Sequence, residues 1–115
     1  MKTYEDLPKW FRNQIETVLR HNNYAKDCGI TDPSQATATE CGKHDKWSPC
    51  DLILREEYNN GGGSARGFLG LTPSQCHNGY RFIKEHQEEL KAMDMYHKEG
   101  WNNSGFPLWH DYRLH

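Results

Sequence analysis

The chain has no apolar run approaching the ~18 residues needed to span a bilayer, and its first residues, Met1 to Pro8, lack the apolar core of a secretory signal. These absences exclude a membrane-spanning helical protein and set a cytoplasmic location as the expectation. Aliphatic side chains are scarce. Only 35% of the 115 residues are hydrophobic, and the mean hydropathy is -1.03. The core must therefore be thin for a chain whose folding opposes a conformational entropy of order 100 kcal/mol. Dense basic runs are also missing. Fourteen Lys and Arg residues are interspersed with sixteen acidic ones, for a net charge of -2, so binding to bare nucleic acid is not favoured by charge. No Cys-x-x-Cys pair is present, no Lys-Ser or Lys-Thr follows the glycines at 61–67 to make a phosphate loop, and no internal repeat divides the chain. One domain over 1–115 is the expectation.

What is present are four cysteines and seven histidines. In a reducing compartment, cysteines are more often thiols or metal ligands than disulfides. The most informative stretch is Cys41-Gly42-Lys43-His44, in which a thiolate and an imidazole stand three positions apart around a glycine. Cys50 follows, and Cys28 and Cys76 complete a supply of donors, with His77 in reserve. Zinc takes four nitrogen or sulfur ligands at short distance. The expected metal set is Cys28, Cys41, His44, Cys50 and Cys76, acting as a staple between distant elements rather than as an independent finger.

Periodicity predicts three helices. Leu7, Trp10, Phe11, Ile15, Val18 and Leu19 recur at three- and four-residue spacings over 6–22, with Asp6 able to cap the start. Ser48-Pro49-Cys50-Asp51 is a helix-start signature, followed by an apolar face over Leu52, Ile53, Leu54 and Tyr58, which predicts a helix over 49–58. Thr72-Pro73-Ser74-Gln75 has capping-box spacing and predicts a helix over 73–98, with Gly79 as an internal weakness. Between the first two helices, 27–47 reads as a loop of about 20 residues with one brief strand near Ala36 to Thr39. Such a length needs an organiser, and bound metal would supply one. The expected fold is therefore α-rich, with a small α+β arrangement as the alternative.

The last segment, 100–115, is an aromatic-rich tail without periodicity, expected to pack on or near the core. Trp101, Phe106, Trp109 and Tyr112 are its candidate partner-binding anchors. No catalytic set stands out from the residues alone. The functional expectation is a small zinc-stabilised module acting through a protein partner, as an inhibitor or adaptor.

The alternative is enzymatic. In order, His44, Asn60 and Cys76-His77-Asn78 resemble the His, Asn and helical Cys-His elements of the HNH endonucleases, with Arg66-Gly67-Phe68-Leu69 adding a further similarity. That resemblance covers about residues 41–86 and implies a ββα unit holding one Mg or Mn ion. It would make His44 the base that activates water and His77 a metal ligand, with Asn60 ordering the loop. Lys43 stands where that family carries a second His or Asp, which ranks the nuclease second.

Overall fold

A computed structural model of the chain describes residues 1–96. Within them are seven α-helices: α1 (Lys9–His21), α2 (Tyr24–Cys28), α3 (Ala38–Gly42), α4 (Pro49–Asn60), α5 (Ala65–Phe68), α6 (Pro73–Glu85) and α7 (Gln87–Ala92). Two 3-10 turns, Tyr4–Asp6 and Pro33–Gln35, complete the elements, and no strand occurs among the described residues. The α-rich expectation holds, and the α+β alternative does not. No helix among the described residues is long and apolar enough to cross a membrane.

Local chemistry explains most helix starts. Ser48 Oγ accepts the Asp51 N–H at 3.3 Å ahead of Pro49. Thr72 and Gln75 form the predicted capping box, with bonds of 3.1 and 2.9 Å. Asp6 behaves differently from expectation. Its carboxylate accepts the N–H groups of Lys2 and Thr3, each at 3.0 Å, and so closes the preceding 3-10 turn. These bonds to the ionised form hold its pKa below the usual carboxylate range. Pro8, with no side-chain acceptor, takes the position before α1.

The long third helix is broken. His86 leaves helical geometry with φ -122° and ψ 32°, and α7 starts afresh behind it. An unbroken helix over 73–98 would be about 39 Å long, whereas the molecule measures 31 × 30 × 28 Å. The break returns the chain to the globule, so that Leu90, Met95 and Tyr96 are all buried. No Gly or Pro marks the spot, and the sequence pattern therefore carries no sign of it.

The segment 27–47 is more ordered than a loop. The Ala36 to Thr39 run is not a strand: Thr37 caps α3 by accepting the Glu40 N–H at 3.1 Å. The segment is tied down by Asp94, whose carbonyl accepts the Ala38 N–H and whose carboxylate accepts the Thr39 N–H at 3.3 Å. Ile30, Ala36, Cys41 and Trp47 are buried in the common core. Apolar anchors and a corner at Asp94 thus provide the organisation the sequence reading assigned to metal.

The core forms where α4 packs against α6 and α1 meets both. Phe11, Ile15 and Val18 of α1, Ile53 and Leu54 of α4, Ile83 of α6 and Leu90 of α7 are at 0% exposure. Each such side chain contributes roughly 1.5–3 kcal/mol by leaving water.

Gly79, on the α1-facing side of α6, is the key to the close approach. A Cβ there would lie 2.3 Å from Gln14 Oε1 and 3.4 Å from the Ile53 side chain. Gln14 is itself buried and donates to the Gln75 carbonyl at 2.8 Å. Gly79→Ala should gain about 1 kcal/mol of helix propensity. It is nonetheless expected to destabilise the protein by about 1–2 kcal/mol net, because the amide of Gln14 must leave its partner. Urea unfolding of Gly79→Ala, Gln14→Ala and the double variant checks this. The double should cost less than the two singles together, and a stabilised Gly79→Ala would refute the account.

Candidate functional site

The structure places the predicted metal donors in two separate regions. Cys41 is in the last turn of α3, Cys50 in the first turn of α4 and Cys28 ends α2, and all three lie near Tyr24, with Cys41 close to both other thiols. Cys76 lies elsewhere, on the first turn of α6, where its thiol donates to the Ile53 carbonyl at 3.7 Å. His44 is exposed beyond α3, its N–H donating to the Cys41 carbonyl at 3.0 Å. Among the described residues, no three His, Cys, Asp or Glu side chains are arranged to hold a metal ion.

The chemistry of these thiols follows from burial. Cys41, Cys50 and Cys76 are all at 0% exposure. Desolvation pushes Cys41 up to about 12, helped by Cys28 and Asp51, and pushes Cys76 up to about 12, helped by Glu57 and Glu56. Burial holds Cys50 well above the ordinary thiol value, and half-buried Cys28 is raised too. Cys76 lies in the first turn of α6, where a helix start favours thiolate, but the low dielectric around the buried sulfur outweighs the helix end. As arranged, these cysteines are small apolar core residues with weak S–H donors.

The residues read as HNH-like are also separated. His44 precedes α4 and Asn60 is its last residue, so the length of a helix of about 18 Å stands between them in the chain. Asn60 bonds Glu56 at 3.1 Å. The ββα unit is not formed, since no strand occurs among the described residues. His77 Nδ1 instead pairs with Glu57 Oε1 at 2.7 Å, beside the stacked ring of Tyr80. Trp101, Phe106, Trp109 and Tyr112 lie outside the described residues.

A feature that the sequence reading assigned to the core emerges on the surface. Trp10 sits on the apolar stripe of α1, yet it is 44% exposed while Phe11 beside it is fully buried. Its ring is held edge-on against Phe82 (5.5 Å, 83°) and Phe11 (5.7 Å, 76°), and Phe82 packs on Phe11 at 4.5 Å and on His86 at 4.4 Å. The indole is therefore fixed by the core below it while one side faces solvent. The stripe is too wide for the partner helices to cover, and Trp10 lies at its margin. Only a count of what each neighbouring helix covers could have revealed this.

Trp10 stands between two open cavities on the face shared by α1 and α6. One, of 450 Å³, is lined by Trp10, Asn78, Arg81, Phe82 and Glu85. The other, of 380 Å³, runs from Trp10 past Asn13 and Thr17 to Gly70 and Leu71, with Gln14, Gln75 and Asn78 completing its wall. Thr17 donates back to the Asn13 carbonyl at 2.8 Å. Arg81 approaches Glu85 at 3.9 Å, both well exposed. The face thus offers one large rigid ring, several amides and little net charge. No protein-family model, curated protein or solved structure matches the chain. The class defined by the fold is a small all-helical domain, as far as residues 1–96 extend, with one half-exposed tryptophan on the α1–α6 surface.

Proposed function

We propose that the protein is a small binding module that acts through a protein partner, as an inhibitor or adaptor, and that the α1–α6 face around Trp10 is its contact surface. The observation that carries this reading is the clamped, half-exposed indole between two cavities. Tryptophan is the residue type most enriched at the energetic centres of protein interfaces, and a ring already immobilised loses little entropy on binding. The near balance of charge on this face, where Arg81 is offset by Glu85, suits a protein surface better than a phosphate backbone.

The test is a photo-crosslinking residue placed at exposed Asn13, with Lys26 on α2 as a control position. A discrete protein adduct is expected from position 13 only, falling at least about tenfold in Trp10→Ala. That substitution should cost only about 1 kcal/mol, a shift of roughly 4–8 °C in Tm, because half of the ring is already in water. Undiminished capture by Trp10→Ala would sink the assignment, as would adducts that form equally from position 26.

A further inference from the structure

His86 joins two helices and touches three parts of the molecule at once. It ends α6 and precedes α7 with φ -122° and ψ 32°, and its carbonyl accepts the Leu90 N–H at 3.0 Å, so both helices turn on it. Its Nδ1 lies 2.9 Å from Glu89 Oε1. An ionised carboxylate only accepts, so Nδ1 carries a proton in that bond, and titration takes the proton and the charge at Nε2. The other Glu89 oxygen accepts from the Met1 amine at 3.1 Å, which draws the N-terminal segment into the same corner. The imidazole packs on Phe82 at 4.4 Å, and Phe82 in turn holds Trp10 at 5.5 Å and Phe11 at 4.5 Å. One aromatic ring therefore separates a titratable side chain from the exposed indole.

The surrounding charges leave the imidazole as the variable part. The hydrogen bond from His86, and after it the Met1 amine, hold the pKa of Glu89 below the usual carboxylate range. The stability that this carboxylate contributes is lost only as pH falls through the lowered value, so it stays charged through about pH 5–8. The neighbouring carboxylates face other cations: Glu85 of α6 meets Arg81 at 3.9 Å, and Glu88 of α7 meets Lys91 at 3.6 Å. From α1 the stack receives the rings of Trp10 and Phe11. Histidine is the side chain that changes charge between about pH 5 and 8.

We propose that His86 is a pH-sensitive pin: its positive charge tightens α7 against α6, loss of that charge loosens α7, and the Phe82 ring passes the change to Trp10. The charged imidazole gains an ion pair with Glu89 and the attraction of the Phe82 π face, and the carbonyl end of α6 favours a cation as well. The neutral imidazole keeps the hydrogen bond alone. Both partners are partly exposed, His86 at 32% and Glu89 at 43%, so salt screens the pair and the charge tunes α7 rather than releasing it. The consequence for partner capture rests on the proposed contact-face reading, whereas the pin does not.

The test follows the indole N–H signal of Trp10, assigned by its loss in Trp10→Ala, in the full chain from about pH 5 to 8. The signal should move in one step that shares its midpoint with the His86 ring C–H signal. That step should vanish in His86→Gln and persist in His77→Gln, whose imidazole pairs with Glu57 and stacks on Tyr80 instead. Glu89→Gln keeps an acceptor for Nδ1–H but removes the charge, and should lower the midpoint by about 0.5 pH unit at low salt. Amide exchange at Leu90, corrected for its intrinsic pH dependence, should be about threefold slower at the acid end of the range. A Trp10 signal flat with pH, a step unchanged in His86→Gln, a midpoint unmoved in Glu89→Gln or equal Leu90 exchange would each overturn the proposal. Should His86→Gln fail to fold, the Glu89→Gln midpoint decides. A Trp10 step tied to His86 without any adduct from position 13 at either pH supports the pin and removes the contact face.

Discussion

Phe11→Ala is expected to cost about 4 kcal/mol and leave the protein largely unfolded in mild denaturant. Phe11 is fully buried, and its ring lies 4.5 Å from Phe82 and 5.7 Å from Trp10. Truncation removes the apolar transfer term and leaves a cavity, which together cost about 3–5 kcal/mol for a buried phenylalanine. A domain of this size has about 5–15 kcal/mol in total, and one so poor in aliphatics has few other contacts to compensate. Phe11→Leu keeps most of the volume and should lose only about 1.5 kcal/mol. Urea unfolding followed by far-ultraviolet circular dichroism measures both. A loss below about 1 kcal/mol in Phe11→Ala would mean that the α1–α4–α6 core is not the source of stability. The substitution would also loosen Trp10, so partner capture and stability should fail together, whereas Trp10→Ala should lose capture and keep most of its stability.

The second large effect is alkaline unfolding. The thiols of Cys41, Cys50 and Cys76 are held neutral in the fold, with Cys41 and Cys76 raised from 9.0 to about 12. In the unfolded chain they release their protons near pH 9. Between that value and about 12 the native state binds more protons, so stability is complete below pH 9 and falls as pH rises. At pH 10 each neutral buried thiol costs about 1.4 kcal/mol relative to its unfolded counterpart, and the three together roughly 4 kcal/mol. Tyr24, buried with its hydroxyl on the Trp47 carbonyl and its pKa likewise raised, adds to the loss above pH 10. The urea midpoint should therefore be level from pH 7 to 8 and drop steeply toward pH 10. Cys76→Ala should show a shallower drop, by about one proton. Zinc-bound thiolates would behave in the opposite way, losing stability on acidification as metal departs. A midpoint that stays flat to pH 10 and collapses in acid would restore the stapled reading.

The contrast between these thiols and Trp10 shows what was legible in advance. The helices read over 6–22 and 49–58 fall on α1 and α4, and the start at Thr72 is legible directly, because capping, proline placement and three- to four-residue spacing are local rules; the reading starts α1 three residues early. The break at His86 could not, since it answers to the 31 Å reach of the globule and not to any residue at the break. Nor could the grouping of Cys28 with Cys41 and Cys50 apart from Cys76, because residue type states what a side chain can ligate and not where it is carried.

By itself the sequence determined that this is a helix-rich chain with a thin core, a near-neutral charge and no membrane-spanning helix among its described residues. Those properties are sums over residues or patterns within one turn of helix. Only the tertiary structure decided that three cysteines are buried and neutral and that Trp10 is left half in water. Burial depends on which helices happen to cover a given face, and that is set by packing between segments tens of residues apart.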